Sequence, residues 1–235
     1  MTDAELVVRI QSAVVAIRSR IADVGGDPDR VRLVAVTKGH SGAVVAAAAA
    51  AGLCDVGESY VQELVAKVFA LESRTALEGG GDPPPLRWHM IGQLQRNKVR
   101  QAAPHVSLWQ SVDRLSLAAE IAQRAPGAAV LVQVDVAGRP GRGGCAPERV
   151  ASLVEGCGDL GLRVGGLMTV GPQGPPEAVR AGFRVVRDLA DQLGLEERSM
   201  GMSADLEAAV AEGSTMIRVG TALFGPRNGL PGVGK

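Results

Sequence analysis

Short runs rich in β-branched residues alternate with longer segments of helical period along this whole chain, and that alternation limits the folds open to it. Strand-like runs fall at 32–37, 54–57, 87–91, 106–110, 129–136, 163–169, 197–200 and 216–220. Helical stretches lie between them at 43–52, 59–73, 95–102, 113–125, 147–156, 177–193 and 204–212, and a first helix covers about 4–24. The sixth interval shows the period best: Val179, Phe183, Val186, Leu189 and Leu193 recur every three or four residues, with Arg180, Arg184, Arg187, Asp188 and Asp191 between them. Strands separated by helices must run parallel and be joined by crossovers. Eight of them predict a (β/α)8 TIM barrel with an extra N-terminal helix. A doubly wound open sheet is the alternative, but its G-x-G-x-x-G fingerprint after the first strand is absent.

The 235 residues suit one barrel domain over 1–227, followed by a glycine-rich flexible tail, 228–235. Two breaker clusters, Gly79 to Pro85 and Gly138 to Gly144, read as surface loops, and Arg139 and Arg142 belong to the second, a mobile solvated one. Lys+Arg and Asp+Glu both count 25, so the chain lacks the basic excess of a nucleic-acid or anionic-membrane binder. The cysteines, Cys54, Cys145 and Cys157, are odd in number and show no C-x-x-C spacing, against a disulfide scaffold or zinc site and in favour of a reducing compartment. The acidic N-terminus leads into an amphipathic pattern rather than a signal peptide, and the longest apolar run, 43–53, is too short to span a bilayer. A soluble, cytoplasmic protein is expected, monomeric, with a dimer as the alternative.

In a barrel, active groups come from the C-terminal strand ends and the loops after them. That rule collects Lys38, Glu58-Ser59-Tyr60, His89 with Gly92, Asp135, Met168-Thr169, Ser199 to Ser203, and Arg218-Gly220-Thr221. A lysine closing the apolar run 32–37 tolerates burial only when paired or neutral, and the neutral amine is the form that condenses with aldehydes. Taken alone, that segment reads as a lysine reaching solvent at the rim of a sheet; the rest of the chain reverses the reading. Ser203 has N-cap character where a helix opens, and Gly220-Thr221 follows the eighth strand. Loops after strands seven and eight commonly bind phosphate in barrels. Arg218 lies in an otherwise apolar strand and needs an acceptor: Glu58, Asp135 or the ring nitrogen of a ligand. His89, next to Trp88, reads as a satisfied core histidine, and Lys98 and Arg100 as a solvated helix face. An aldehyde-reactive lysine, a phosphate cup and a buried arginine are together what a pyridoxal 5′-phosphate (PLP) site requires.

The chain resembles the pyridoxal phosphate homeostasis proteins, whose barrel is like the N-terminal domain of alanine racemase. The matching motifs are Leu33-Val34-Ala35-Val36-Thr37-Lys38, Val56 to Glu63, Trp88 to Val99, Gly166 to Pro172, Ser199 to Ser203 and Ile217 to Gly225, in order over nearly the whole chain. The resemblance implies that Lys38 holds PLP as a Schiff base. It places Ser203, Gly220 and Thr221 around the phosphate, Arg218 near the pyridine nitrogen, and Ser59 and Met200 in the cofactor-binding set, with no catalytic residue and no metal. An arginine there disfavours protonation of the ring nitrogen and weakens the electron sink. Three positions depart from the family pattern: Ser59 where asparagine is usual, Gly39 in a turn that usually contains threonine, and Gln93 where histidine is common.

The function implied is a non-catalytic carrier that keeps free PLP low and supplies PLP-dependent apoenzymes. A PLP-dependent amino-acid racemase is the second reading. It needs an acid/base group opposite the lysine, and the racemase fold brings a tyrosine from another domain and subunit, whereas this chain has one tyrosine, Tyr60. A Schiff-base aldolase acting on a phosphosugar is a distant third, since barrel fold alone does not exclude it.

Overall fold

The computed structural model describes residues 2–77, 86–138 and 143–226. Helix α1 (Asp3–Asp23) precedes strand β1 (Arg32–Val36), and the chain then alternates: α2 (Gly42–Ala50), β2 (Asp55–Glu58), α3 (Val61–Leu77), β3 (Arg87–Met90), α4 (Val99–Ala102), β4 (Val106–Val112), α5 (Leu115–Arg124), β5 (Ala129–Val134), α6 (Val150–Asp159), β6 (Arg163–Thr169), α7 (Pro176–Gln192), β7 (Glu197–Ser199), α8 (Leu206–Ala211), β8 (Met216–Val219) and α9 (Thr221–Phe224). The strands pair in sequence order and close, β1 lying parallel to β8 with Arg32 opposite Met216 and Ala35 opposite Val219. The expected (β/α)8 barrel with its extra N-terminal helix is what forms, and closure leaves no unpaired sheet edge. The expected tail from 228, the domain boundary beside it, and the loop segments 79–85 and 139–142 lie outside the described residues.

Helix α1 starts with a capping box, Thr2 Oγ1 accepting from the Glu5 N–H (3.2 Å) while Glu5 Oε2 accepts from the Thr2 N–H (2.7 Å). Its Leu6, Ile10, Ile17 and Ile21 form one apolar stripe, packed with Leu33, Ala35, Ile217, Val219, Leu206 and Phe224 into a core over the β1–β8 closure. A second, larger core runs under α3 to α7, around Trp88, Trp109, Leu117, Ile121, Phe183 and Val186. Leu33, Ala35, Ile217 and Val219 face the helices, so strand alternation turns Val34, Met216 and Arg218 into the barrel interior.

Two boundaries differ from the sequence expectation for visible reasons. Strand β5 stops at Val134, because Asp135 Oδ1 accepts the N–H groups of Ala137 and Gly138 (both 3.0 Å) and folds the chain into a turn. Helix α8 opens at Leu206 rather than 204, because the 201–205 loop turns first, with Asp205 Oδ1 accepting the Met202 N–H at 2.6 Å. Among the described residues no helix is long and apolar enough to cross a membrane, and no cluster of ligating side chains suits a metal ion.

Candidate functional site

Lys38 is half-buried in the turn that follows β1, at the C-terminal face of the barrel. The turn is held on both sides of it. Lys67, on α3, donates from Nζ to the Thr37 carbonyl (2.7 Å), and Glu63 Oε2, one helical turn earlier, accepts the Gly39 N–H (2.7 Å). Lys67 Nζ also donates to Glu63 Oε2 (3.2 Å) and Glu58 Oε1 (2.5 Å), and the latter oxygen takes the Thr37 hydroxyl (2.6 Å). Lys67 is 5% exposed and Glu58 fully buried, so both charges exist there only as a pair. Burial pushes the Glu58 carboxyl above its ordinary pKa against the pull of Lys67. Gly39 has φ +75°, a left-handed conformation that glycine adopts without strain.

Arg218 is 4% exposed on β8. Neither carboxylate expected from the sequence pairs with it: Glu58 is engaged by Lys67, and Asp135 caps its own turn. The guanidinium instead donates from Nη1 to the Ser199 carbonyl and hydroxyl oxygens (both 2.7 Å) and from Nη2 to the Thr169 carbonyl (2.6 Å). Burial lowers its pKa to about 10 against the attraction of Asp205, so it stays charged at neutral pH. Ser199, expected among the hydroxyls offered to a ligand, is fully buried and committed to this contact.

Ser203 does not cap the helix that follows it. Its Oγ accepts the Ala222 N–H (3.1 Å), tying the β7–α8 loop to the start of α9 and leaving its own O–H as a donor. Thr221 is exposed and Gly220 half-buried beside β1; a Cβ on Gly220 would stand 3.1 Å from the Val36 carbonyl oxygen, so this stretch of backbone stays bare. Met200 is fully buried, Ser59 is half-buried in the β2–α3 loop, and Gln93 is exposed. Since β1 and β8 are neighbours, the Lys38 turn, Gly220 and Thr221 meet at one corner of the barrel mouth, while Arg218, level with Val34, sends its guanidinium across the interior to Thr169 and Ser199 at the ends of β6 and β7.

His89 is the satisfied core histidine expected, 2.9 Å from Asp55 Oδ1 and 2.6 Å from Gln110 Nε2. The sequence reading missed Lys67, Glu63, Gln110 and the interior role of Ser199. A signal existed for the lysine: Lys67 sits on the buried stripe of α3 with Leu64, Val68 and Leu71, where an ammonium needs a partner. Gln110 gave a weaker one, as an amide within an expected strand.

The fold and the corner site define a barrel class that the comparisons name. Residues 14–228 match the family model of the alanine racemase N-terminal domain. The chain is 42% identical over 220 residues to the pyridoxal phosphate homeostasis protein of Pseudomonas aeruginosa, covering 90% of this chain and 91% of that one. It is 36% identical over 219 residues to the protein of that name in Escherichia coli K12, covering 87% and 89%. PipY of Synechococcus elongatus PCC7942, solved with PLP bound, superposes with a TM-score of 0.77 at 34% identity over 92% of this chain and 100% of that one. The chain belongs to the pyridoxal phosphate homeostasis protein family.

Proposed function

We propose that this protein binds PLP through Lys38 and acts as a carrier, holding the cofactor for release to apoenzymes inside the cell rather than turning over substrate. The observation that carries the reading is that the Lys38 turn and the side-chain-free backbone at Gly220 meet at the β1–β8 corner of the mouth, with the buried Arg218 guanidinium held across the interior by Ser199 and Thr169. The donor set fits the group. Ser203 and Thr221 offer hydroxyls, and Gly220 close backbone approach, to a phosphate; Arg218 offers a fixed positive charge to a ring nitrogen; Ser59 and Met200 complete the surround. When bound, PLP supplies an aldehyde carbon open to reversible attack by a neutral amine.

The remaining chemistry belongs to the chain. Lys67 and Glu63 fix the backbone from which the Lys38 amine projects. Arg218, charged at neutral pH, would disfavour protonation of a ring nitrogen placed beside it, so PLP held there would be a weaker electron sink. Tyr60, the one tyrosine of the sequence, is 60% exposed, a poor setting for a general acid or base that must stay oriented opposite the lysine.

The test is the visible spectrum after addition of PLP, followed by borohydride reduction and peptide mapping. A new band and a reduced adduct on the Lys38 peptide are expected, with both lost in Lys38→Ala. A band surviving that substitution overturns the assignment, and racemisation of amino acids at enzymatic rates overturns the carrier reading.

A further inference from the structure

Five side chains from five strands cross the barrel interior as one hydrogen-bonded chain. Arg218 (β8) donates from Nη1 to Ser199 Oγ (β7) at 2.7 Å, and Ser199 Oγ donates to Gln110 Oε1 (β4) at 2.7 Å. Gln110 Nε2 lies 2.6 Å from His89 Nδ1 (β3), and His89 Nε2 lies 2.9 Å from Asp55 Oδ1 (β2). Asp55 is anchored in turn by two bonds from Arg87, Nε to Oδ1 at 2.7 Å and Nη2 to Oδ2 at 2.5 Å. Asp55 opens β2 and Arg87 opens β3, at the barrel end opposite the Lys38 turn, so the chain spans the interior from the N-terminal face to the site.

The two ends give this chain a direction. A guanidinium only donates and an ionised carboxylate only accepts. Ser199 Oγ accepts from Arg218, so its single proton goes to Gln110 Oε1. The Gln110 amide nitrogen is then the donor to His89 Nδ1, which accepts, so the ring N–H is at Nε2, facing Asp55. With His89 neutral, no other arrangement keeps all four bonds. Reversing the amide would require an imidazolium and would take from the buried Ser199 hydroxyl its Gln110 acceptor. Bonds aligned head to tail in a low-dielectric interior polarise one another.

We propose that Gln110 and His89 are positioning residues for the cofactor site: they fix the Ser199 hydroxyl so that its lone pair holds one edge of Arg218, setting the guanidinium that faces the ligand ring. This rests on the PLP reading above. Gln110 and His89 act on the ligand only through Arg218.

The test uses the full-length protein and PLP itself, with the absorption maximum of the bound chromophore and the PLP affinity as readouts and circular dichroism melts as the folding control. Gln110→Met, apolar and of similar length, is expected to shift the band and weaken affinity by about tenfold, as for one lost positioning hydrogen bond, while the adduct still maps to Lys38. Should Gln110→Met fail to fold, Ser199→Ala, which leaves both backbone carbonyls on Arg218, carries the same expectation. A folded Gln110→Met or Ser199→Ala protein with wild-type band and affinity overturns the proposal. Absence of any band or adduct in the unsubstituted protein overturns the PLP reading, and this proposal with it.

Discussion

Lys67 donates to the carbonyl of Thr37, the residue before Lys38, while its helical neighbour Glu63 takes the N–H of the residue after it. One turn of α3 therefore grips the backbone on both sides of Lys38.

Replacing Lys67 by Met should separate these contributions. Glu58 would lose the ammonium that balances it in a buried site, a loss on the order of 3 kcal/mol of stability. The released turn should also slow formation of the borohydride-trapped adduct by about tenfold, since small misplacements of a reacting group are costly. Denaturant melts give the first number and trapping kinetics, below the melting range of the variant, the second. Unchanged kinetics in the destabilised variant would show that the grip supports the fold alone.

Gly39→Ala tests the same turn with the salt bridge intact. Its φ of +75° disfavours any Cβ, and a cost of about 1 kcal/mol or more is expected. If the turn relaxes to relieve that strain, the bond to Glu63 breaks and PLP binding weakens together with stability. A variant as stable as the parent and equally competent to bind would contradict the need for glycine at this position.

Asp55 sets an acid limit on the fold. Burial alone would raise its pKa, but the hydrogen bonds from Arg87 and His89 outweigh burial and hold the carboxyl well below the usual carboxylate range. An aspartate in the unfolded chain titrates near ~3.9, so between the folded and unfolded values the unfolded chain binds more proton, and stability falls as pH falls. The contribution is complete above about pH 5 and is lost progressively below about pH 4. Asp55→Asn should cost roughly 2–3 kcal/mol at neutral pH, tempered by the exposure of Arg87, and should flatten the acid dependence. Urea melts at pH 7 and pH 3.5 check this; parallel losses in parent and variant would rule Asp55 out as the source.

The strands were legible to within two residues at either end because each is a short apolar run between helical periods, and eight of them admit few closures. Helix α9 escaped notice because four residues carry no period. The site was legible where a polar residue interrupts an apolar run, as Lys38 and Arg218 do. Their surroundings were not. Arg218 is held by two backbone carbonyls and a hydroxyl, and since every residue offers a carbonyl, no spacing identifies which one serves. Ser203 resembled a helix cap because the chain after it is helical, yet Asp205 takes the nearby amide and delays the helix, freeing the serine to reach α9. Such assignments depend on which loop meets which, and that follows only once the barrel closes.

The corner where the Lys38 turn meets Gly220 is also the seam where the first strand meets the last. Its halves are made at opposite ends of synthesis, so a nascent chain carries the amine long before it has a partner strand to complete the cup. A ligand held from both strands would act as a clasp on that seam, favouring the closed ring over opened forms by the difference between its affinities for the two.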